Sequence, residues 1–101
     1  MSKDYIINRI TELREKARLS ARKLSMEIDL NEGYINRLEN TRDFLPSVEV
    51  LLRIIEVCGV SVEEFFYSNP KTYKQDKELL DLLGNMTADK KEALIAFIKK
   101  Q

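Results

Sequence analysis

Residues 20–40 read SARKLSMEIDLNEGYINRLEN, and the helix signals in this segment are the strongest in the chain. Ser20 and Asn31 each follow a leucine and stand four residues before another apolar side chain. This is the spacing of a helix N-cap with its hydrophobic staple, so it predicts one short helix over residues 20–28 and a second over residues 31–40. A connection of about three residues is too short for antiparallel packing, and we expect the two helices to cross at a large angle.

The same signals predict helices on both sides of this stretch. Ser47, Ser61 and Thr87 are further N-cap candidates, and Gly59 is suited to the position that ends a helix. Together with the spacing of apolar residues, they predict helices over residues 4–17, 48–58, 62–67, 72–83 and 88–100. No segment alternates apolar and polar residues for long enough to predict a strand.

The pair Asn69 and Pro70 is a strong helix breaker and marks the expected internal boundary. We therefore expect an all-α chain in two parts. Residues 1–69 would form a five-helix domain, and residues 70–101 would add a C-terminal two-helix hairpin. At 101 residues the chain can bury one modest core.

Composition argues against several classes of protein. The chain has no histidine, one cysteine (Cys58) and no Gly-rich phosphate loop, so we expect no enzyme, no metal site, no cofactor and no intrachain disulfide. Neither a run of about 18 apolar residues nor a signal-peptide core is present, which predicts a cytoplasmic protein without membrane contact. About thirty residues follow Pro70, too few to enclose a small-molecule effector.

The segment over residues 34–40, Tyr-Ile-Asn-Arg-Leu-Glu-Asn, resembles the recognition helix of the Cro and lambda-repressor family, also called the xenobiotic-response-element family. Residues 46–66 resemble that family's fourth and fifth helices, and the likeness covers about residues 7–66. The resemblance implies a lambda-repressor-like DNA-binding domain. It also implies that Arg14 and Glu39 form a structural ion pair.

Three positions depart from the family pattern. Ala21 stands where a glutamine is common and cannot reach DNA as an amide would. Asp29 replaces the glycine of the turn, which is tolerable because aspartate can adopt left-handed backbone angles. Thr41 replaces the glycine that often follows the recognition helix. The fold is expected to survive all three changes.

If residues 31–40 form a recognition helix, its exposed side chains are the natural base readers, because such a helix presents its first residues to base edges in the major groove. Arg37 would grip guanine O6 and N7, Asn36 would pair with adenine or a phosphate, and Glu32 would accept from cytosine N4. Backbone and side chains at the start of the preceding helix would contact phosphates. The complete candidate DNA-binding set is Ser20, Arg22, Asn31, Glu32, Gly33, Tyr34, Asn36, Arg37, Asn40 and Arg42.

Apolar residues beyond the expected core suggest a homodimer. On the helix over residues 48–58 we expect Val48, Leu51, Ile55 and Cys58 to serve the core, whereas a second apolar line is left on an adjacent face. The candidate dimer interface comprises Val50, Ile54, Val57, Leu79, Leu83, Leu94, Phe97 and Ile98. The hypothesis is that the hairpin packs onto the fourth and fifth helices and completes this interface. The alternative is that it only caps the monomer's core.

These observations favour a sequence-specific transcriptional regulator of bacterial or phage-like origin. It would bind double-stranded DNA as a homodimer on a pseudo-palindromic operator and act as a repressor by occlusion. The alternative is a protein-interaction module, such as an antitoxin-like or anti-repressor subunit, that keeps the fold without the DNA role. The alternative draws support from the balance of 17 basic and 17 acidic residues, since nucleic-acid binders are usually basic.

Overall fold

The computed structural model describes residues 2–100, which form α-helices and one 3-10 turn and contain no strand. The helices are α1 (Lys3–Lys16), α2 (Ala21–Glu27), α3 (Tyr34–Thr41), α4 (Val48–Val57), α5 (Val62–Phe65), α6 (Tyr73–Gly84) and α7 (Ala88–Lys99). The predicted all-α class is confirmed. The chain divides into two compact units, the first ending at Phe66 and the second beginning at Tyr67. Among these helices, none has both the length and the apolar character needed to cross a bilayer.

Polar caps determine where most of the helices begin. The side chains of Ser20, Ser47, Ser61 and Thr87 each accept a hydrogen bond from the backbone N–H three residues later. Each cap thereby satisfies one of the donors that a helix leaves unpaired at its start. Gly59 has a φ of +77° just beyond α4, the left-handed geometry expected of a residue that ends a helix. The predictions for these four caps and for Gly59 are confirmed.

The core of the first unit is built from apolar side chains of all five of its helices. The buried members are Ile7, Ile10, Leu13, Leu24, Ile28, Ile35, Leu38, Ile54, Ile55 and Phe65. Burial of each such side chain contributes about 1.5–3 kcal/mol, so this cluster is the main source of stability for the unit. Because α2 and α3 each bury one face here, their opposite faces are left on the surface.

Helix α4 faces the core differently from the sequence prediction. Ile54 is fully buried, so its assignment to an outer apolar line for a dimer is wrong. Its place in the core follows from helical spacing, because Ile54 lies beside Leu51, Ile55 and Cys58 on one stripe that packs inward. Val48 was expected in the core but is 74% exposed, because it occupies the first turn of α4.

Arg9 is a buried charged residue that the sequence analysis does not single out. Its Nε donates to the carbonyl of Phe65 at 3.1 Å and its Nη2 donates to the carbonyl of Glu64 at 3.1 Å. Its Nη1 pairs with Glu12 at 3.0 Å. The guanidinium therefore closes the end of the short helix α5 and joins it to α1.

In the second unit, α6 and α7 follow a short 3-10 turn at Pro70–Thr72. The Tyr67 and Tyr73 rings meet edge to face with centroids 5.1 Å apart, and the Tyr67 hydroxyl bonds to the Asp76 carboxylate. The large apolar side chains left exposed in this unit are Leu79, Leu80, Leu82, Ile95, Phe97 and Ile98. A cavity of about 330 Å³ opens between the two helices, lined by Leu83, Gly84, Lys91, Leu94, Ile95 and Ile98.

Candidate nucleic-acid interface

A buried serine joins α2 to α3. The Ser25 hydroxyl accepts a hydrogen bond from the Ile35 N–H at 3.0 Å and donates to the Ala21 carbonyl at 2.8 Å. Gly33, the residue before α3, has no side chain to cap this helix, so Ser25 of the neighbouring helix satisfies one of its unpaired N–H groups. The start of α3 is therefore fixed relative to α2 by one side-chain hydroxyl.

Helix α3 begins at Tyr34, three residues later than the predicted start at Asn31. The Asn31 side chain does not cap the helix, because its Oδ1 accepts the Gly33 N–H at 2.9 Å and closes a local turn. Asparagine side chains form such turns two residues onward as readily as they cap helices. Glu32 and Gly33 consequently lie in the connection, which runs over residues 28–33, and not on the helix.

Asp29 supplies the bend after α2. Its φ of 60° is left-handed, and its N–H bonds to the Met26 carbonyl at 3.0 Å. The next N–H, that of Leu30, bonds to the Ser25 carbonyl at 3.0 Å. Aspartate is among the few non-glycine residues that adopt this conformation at modest cost. The prediction that Asp29 can adopt left-handed backbone angles at this turn is confirmed.

An ion pair holds α3 against α1. Arg14 Nε and Nη2 donate to the two carboxylate oxygens of Glu39, each at 2.9 Å, and Nη1 donates to the Leu19 carbonyl at 2.8 Å. Both side chains are only 14% exposed. The hydrogen bonding of Arg14 to the Glu39 carboxylate, together with the charge of Glu39, raises the pKa of Arg14 despite the opposing effect of burial. The pair lies on the side of α3 that faces α1, away from the exposed face of the helix, and it fixes α3 against α1.

The outer side of α3 presents Asn36, Arg37 and Asn40 to solvent. The Asn40 side-chain amide donates to the Asn36 carbonyl at 2.8 Å and to its side-chain oxygen at 2.7 Å. Within residues 2–100, no carboxylate forms an ion pair with Arg37. A free bidentate donor and two amides on one exposed helix face form an arrangement that can read base edges.

Two aromatic rings flank Arg37. Its guanidinium carbon lies 5.5 Å from the centre of the Phe44 ring and 6.0 Å from that of Tyr34. The two rings meet edge to face, with centroids 5.7 Å apart. Partial burial raises the pKa of the Tyr34 phenol, and the opposing effect of the Arg37 charge is smaller. Tyr34 therefore stays protonated at neutral pH and can donate a hydrogen bond.

The remaining candidates are engaged within the protein to different degrees. Arg22 and Glu32 form an ion pair at 3.1 Å, and both side chains are largely exposed. Ser20 is the cap of α2. Arg42 stands apart from this group, because its guanidinium donates to Asn8 at 2.7 Å and to Asp4 at 3.2 Å, both on α1.

The structure thus brings most of the candidate residues onto α3 and the turn before it. Sequence reasoning missed Phe44, whose only signal was an aromatic residue directly after the polar stretch over residues 40–43. It also left Lys23 out of the set, although this exposed lysine lines a shallow depression with Ser20 and Arg22. In the part of the chain that the structure describes, no group of three His, Cys, Asp or Glu side chains is placed to hold a metal ion.

Comparison with known proteins gives two kinds of match. Residues 8–65 match the family described as a helix-turn-helix domain. The HTH-type transcriptional regulator RamB of Mycobacterium tuberculosis is 35% identical over 91 residues, both in strain CDC 1551 / Oshkosh and in strain ATCC 25618 / H37Rv. The match covers 89% of this chain and 18% of each regulator, so the chain spans less than a fifth of their length. No solved structure gives a significant match.

Proposed function

Because this chain belongs to the helix-turn-helix domain family, we propose that it is a sequence-specific DNA-binding transcriptional regulator. The similarity to the RamB regulators of M. tuberculosis supports this role for the matched segment. The proposal extends to repression, in which the bound protein occludes an operator. Base edges would be read by α3 in the major groove.

The observation that carries the proposal is the outer face of α3. Arg37 offers two parallel donors that no carboxylate within residues 2–100 takes up, and Asn36 and Asn40 stand beside it. The helix that carries them is held by the Arg14–Glu39 pair and by Ser25, so contacts within the protein set its orientation before DNA binds. A helix held in this way, with an arginine free of ion pairs on its exposed face, is suited to direct readout of the major groove.

Phosphate contacts would come from side chains next to this face. Arg22 and Lys23 are exposed, and each is paired with a carboxylate, Arg22 with Glu32 and Lys23 with Glu27. Exposed pairs of this kind contribute little to stability, so a phosphate can compete for either cation. Since the chain carries no net charge, its affinity for DNA must come from these local groups and not from a global field.

Selection from random duplex DNA at low and high salt tests the proposal. The full chain should enrich a defined sequence, and its affinity for that sequence should fall as the salt concentration rises, because phosphate neutralisation releases counterions. Failure to enrich any sequence at low salt would contradict the proposal. It would favour the protein-interaction module, which already draws support from the Arg22–Glu32 pair and the balanced net charge.

A second copy of the chain is the proposed occupant of the apolar surface on α6 and α7. Leu79, Phe97 and Ile98 are each more than half exposed, and Leu83 and Leu94 line the cavity between the two helices. A monomer seldom leaves so many neighbouring apolar side chains in water, and a homodimer would cover them. A two-fold dimer would also carry two copies of α3, and a pseudo-palindromic operator presents two half-sites about 34 Å apart for them to read.

The mass of the protein in solution tests this dimer. A Leu79→Lys/Ile98→Lys double variant should shift the mass from dimer toward monomer, because it places two like charges in the proposed interface of each copy. A Gln75→Lys variant adds charge at an exposed polar position of α6 and should leave the mass unchanged. Circular dichroism would check that both variants remain helical. A double variant that stays dimeric would rule out this surface, as would an unaltered chain that is already monomeric at micromolar concentration.

A further inference from the structure

We infer that Phe44, in the loop between α3 and α4, is a positioning residue that orients the Arg37 guanidinium for guanine. The inference rests on the proposed DNA-binding function and adds to it a base class and a second residue that sets the base preference. Phe44 itself would touch no base. Its role would be to limit the orientations that Arg37 samples before DNA is bound.

The contact geometry supports a defined position for Arg37. Its guanidinium carbon lies within cation–π range of both rings, at 5.5 Å from the centre of Phe44 and 6.0 Å from that of Tyr34. Because the rings also contact each other edge to face, they form one continuous aromatic surface beside the arginine. The Arg37 side chain, which otherwise lies in solvent, is therefore restrained on the side that faces the two rings. No carboxylate within residues 2–100 forms a competing ion pair with it.

The position of the Phe44 ring is set by contacts with the rest of the protein and not by Arg37. It is partly buried and packs against the apolar core of the first unit. The loop is fastened before it by Arg42, which donates to Asp4 and Asn8, and after it by Ser47, which caps α4. The ring position is therefore set by the fold, and Arg37 adapts to the ring.

Restraining the orientation of Arg37 should favour its binding to guanine more than its binding to a phosphate. Reading guanine needs two parallel donors aimed at O6 and N7, whereas a phosphate accepts a cation from many directions. An arginine that is already confined loses less side-chain freedom on binding. Loss of the Phe44 ring should therefore weaken base preference and leave the salt dependence of binding almost unchanged, since the charge of Arg37 remains.

The test compares Phe44→Leu and Phe44→Tyr in the full chain. The probes are the selected duplex and matched duplexes in which each guanine is replaced in turn. Phe44→Leu should reduce the preference for one guanine position by about fivefold, which corresponds to the loss of an exposed cation–π contact. Phe44→Tyr keeps an aromatic ring and should retain the preference within about twofold. Thermal melting would confirm that both variants fold.

A double-mutant cycle with Arg37→Ala separates positioning from a general packing effect. In the Arg37→Ala background, Phe44→Leu should cause no further loss of preference, because the arginine that it acts on is gone. A uniform loss of affinity for every duplex would instead indicate mere packing and overturn the inference. Tighter binding by Phe44→Leu would also overturn it, since the rings would then be withholding Arg37 from DNA. If Arg37→Ala itself keeps full base preference, the proposed reading of DNA by α3 fails together with this inference.

Discussion

Single polar residues hold α3 in place. Ser25 reaches across from α2 to the N–H of Ile35, and Arg14 reaches across from α1 to Glu39. Each contact is partly or fully shielded from water, where an unsatisfied partner is costly. The orientation of the candidate DNA-reading face should therefore depend on these few groups, and their removal should be visible in stability.

Ser25→Ala should lower the free energy of unfolding by about 1–3 kcal/mol, because the buried Ile35 N–H would lose its acceptor. Urea denaturation would measure the change. Ser68→Ala removes an exposed hydroxyl and should shift the unfolding free energy by less than about 0.5 kcal/mol. Equal effects of the two variants would mean that the Ser25 bond does not stabilise the helix pair.

Glu39→Gln should cost about 3 kcal/mol, since the shielded Arg14 guanidinium would lose its close carboxylate partner and keep only the exposed carboxylate of Glu15 at 3.9 Å. The matched control is Glu27→Gln, which breaks the exposed pair with Lys23 and should cost no more than about 0.5 kcal/mol. Both values can be read from the same urea titration. A Glu39→Gln variant as stable as its control would show that apolar packing alone fixes α3 on α1.

At the scale of elements, local signals were the most predictable part of the fold. The caps at Ser20, Ser47, Ser61 and Thr87 were predicted because capping depends on residues three apart in sequence. The start of α3 was misplaced because Asn31 can either cap a helix or close a turn, and the sequence alone does not separate the two.

Contacts between distant elements were less predictable. Ile54 was assigned to the surface of α4 because apolar residues lie on most sides of that helix, and only packing shows which side is buried. The resemblance implied the Arg14–Glu39 pair, which the structure contains. Arg9 and Phe44 carried no comparable signal, because the first bonds to backbone carbonyls far along the chain and the second acts through a neighbouring arginine.

The turn between α2 and α3 offers a prediction about backbone strain. Asp29→Val should destabilise the protein by about 1–2 kcal/mol, because a β-branched residue is strongly disfavoured at the φ of 60° found there. Asp29→Gly removes this steric cost and should be at least as stable as the unaltered chain in thermal melts. Ser68→Val, at an exposed position with negative φ, serves as the control. A fully stable Asp29→Val variant would contradict a left-handed turn at this position.

The molecule as a whole has separate surfaces for the two proposed roles. The first unit carries the outer face of α3, whereas the second unit carries the exposed apolar side chains of α6 and α7. Charge is balanced over the chain, with 17 basic and 17 acidic residues, so no excess positive charge would hold the protein on random DNA. If non-specific binding is weak, base contacts are the main means by which the protein distinguishes its operator from other DNA sequences.

Glu32→Gln tests whether the balanced charge of the chain keeps its non-specific binding to DNA weak. The substitution gives the chain a net positive charge and releases Arg22 from its partner, so non-specific affinity for DNA should increase. The slope of log affinity against log salt should steepen by about one phosphate contact. Titration of a scrambled duplex at several salt concentrations would measure both. An unchanged slope would show that the pair with Glu32 does not limit phosphate contact by Arg22.

Whether α3 reads DNA can be measured as the affinity ratio between the selected duplex and a scrambled one, for the unaltered chain, Arg37→Ala and Lys74→Ala. Arg37→Ala should lower this ratio by about tenfold, the value of one bidentate base contact. Lys74→Ala, at an exposed position on α6, should leave the ratio unchanged. An Arg37→Ala variant that keeps the full ratio would contradict the assignment of α3 as the element that reads DNA.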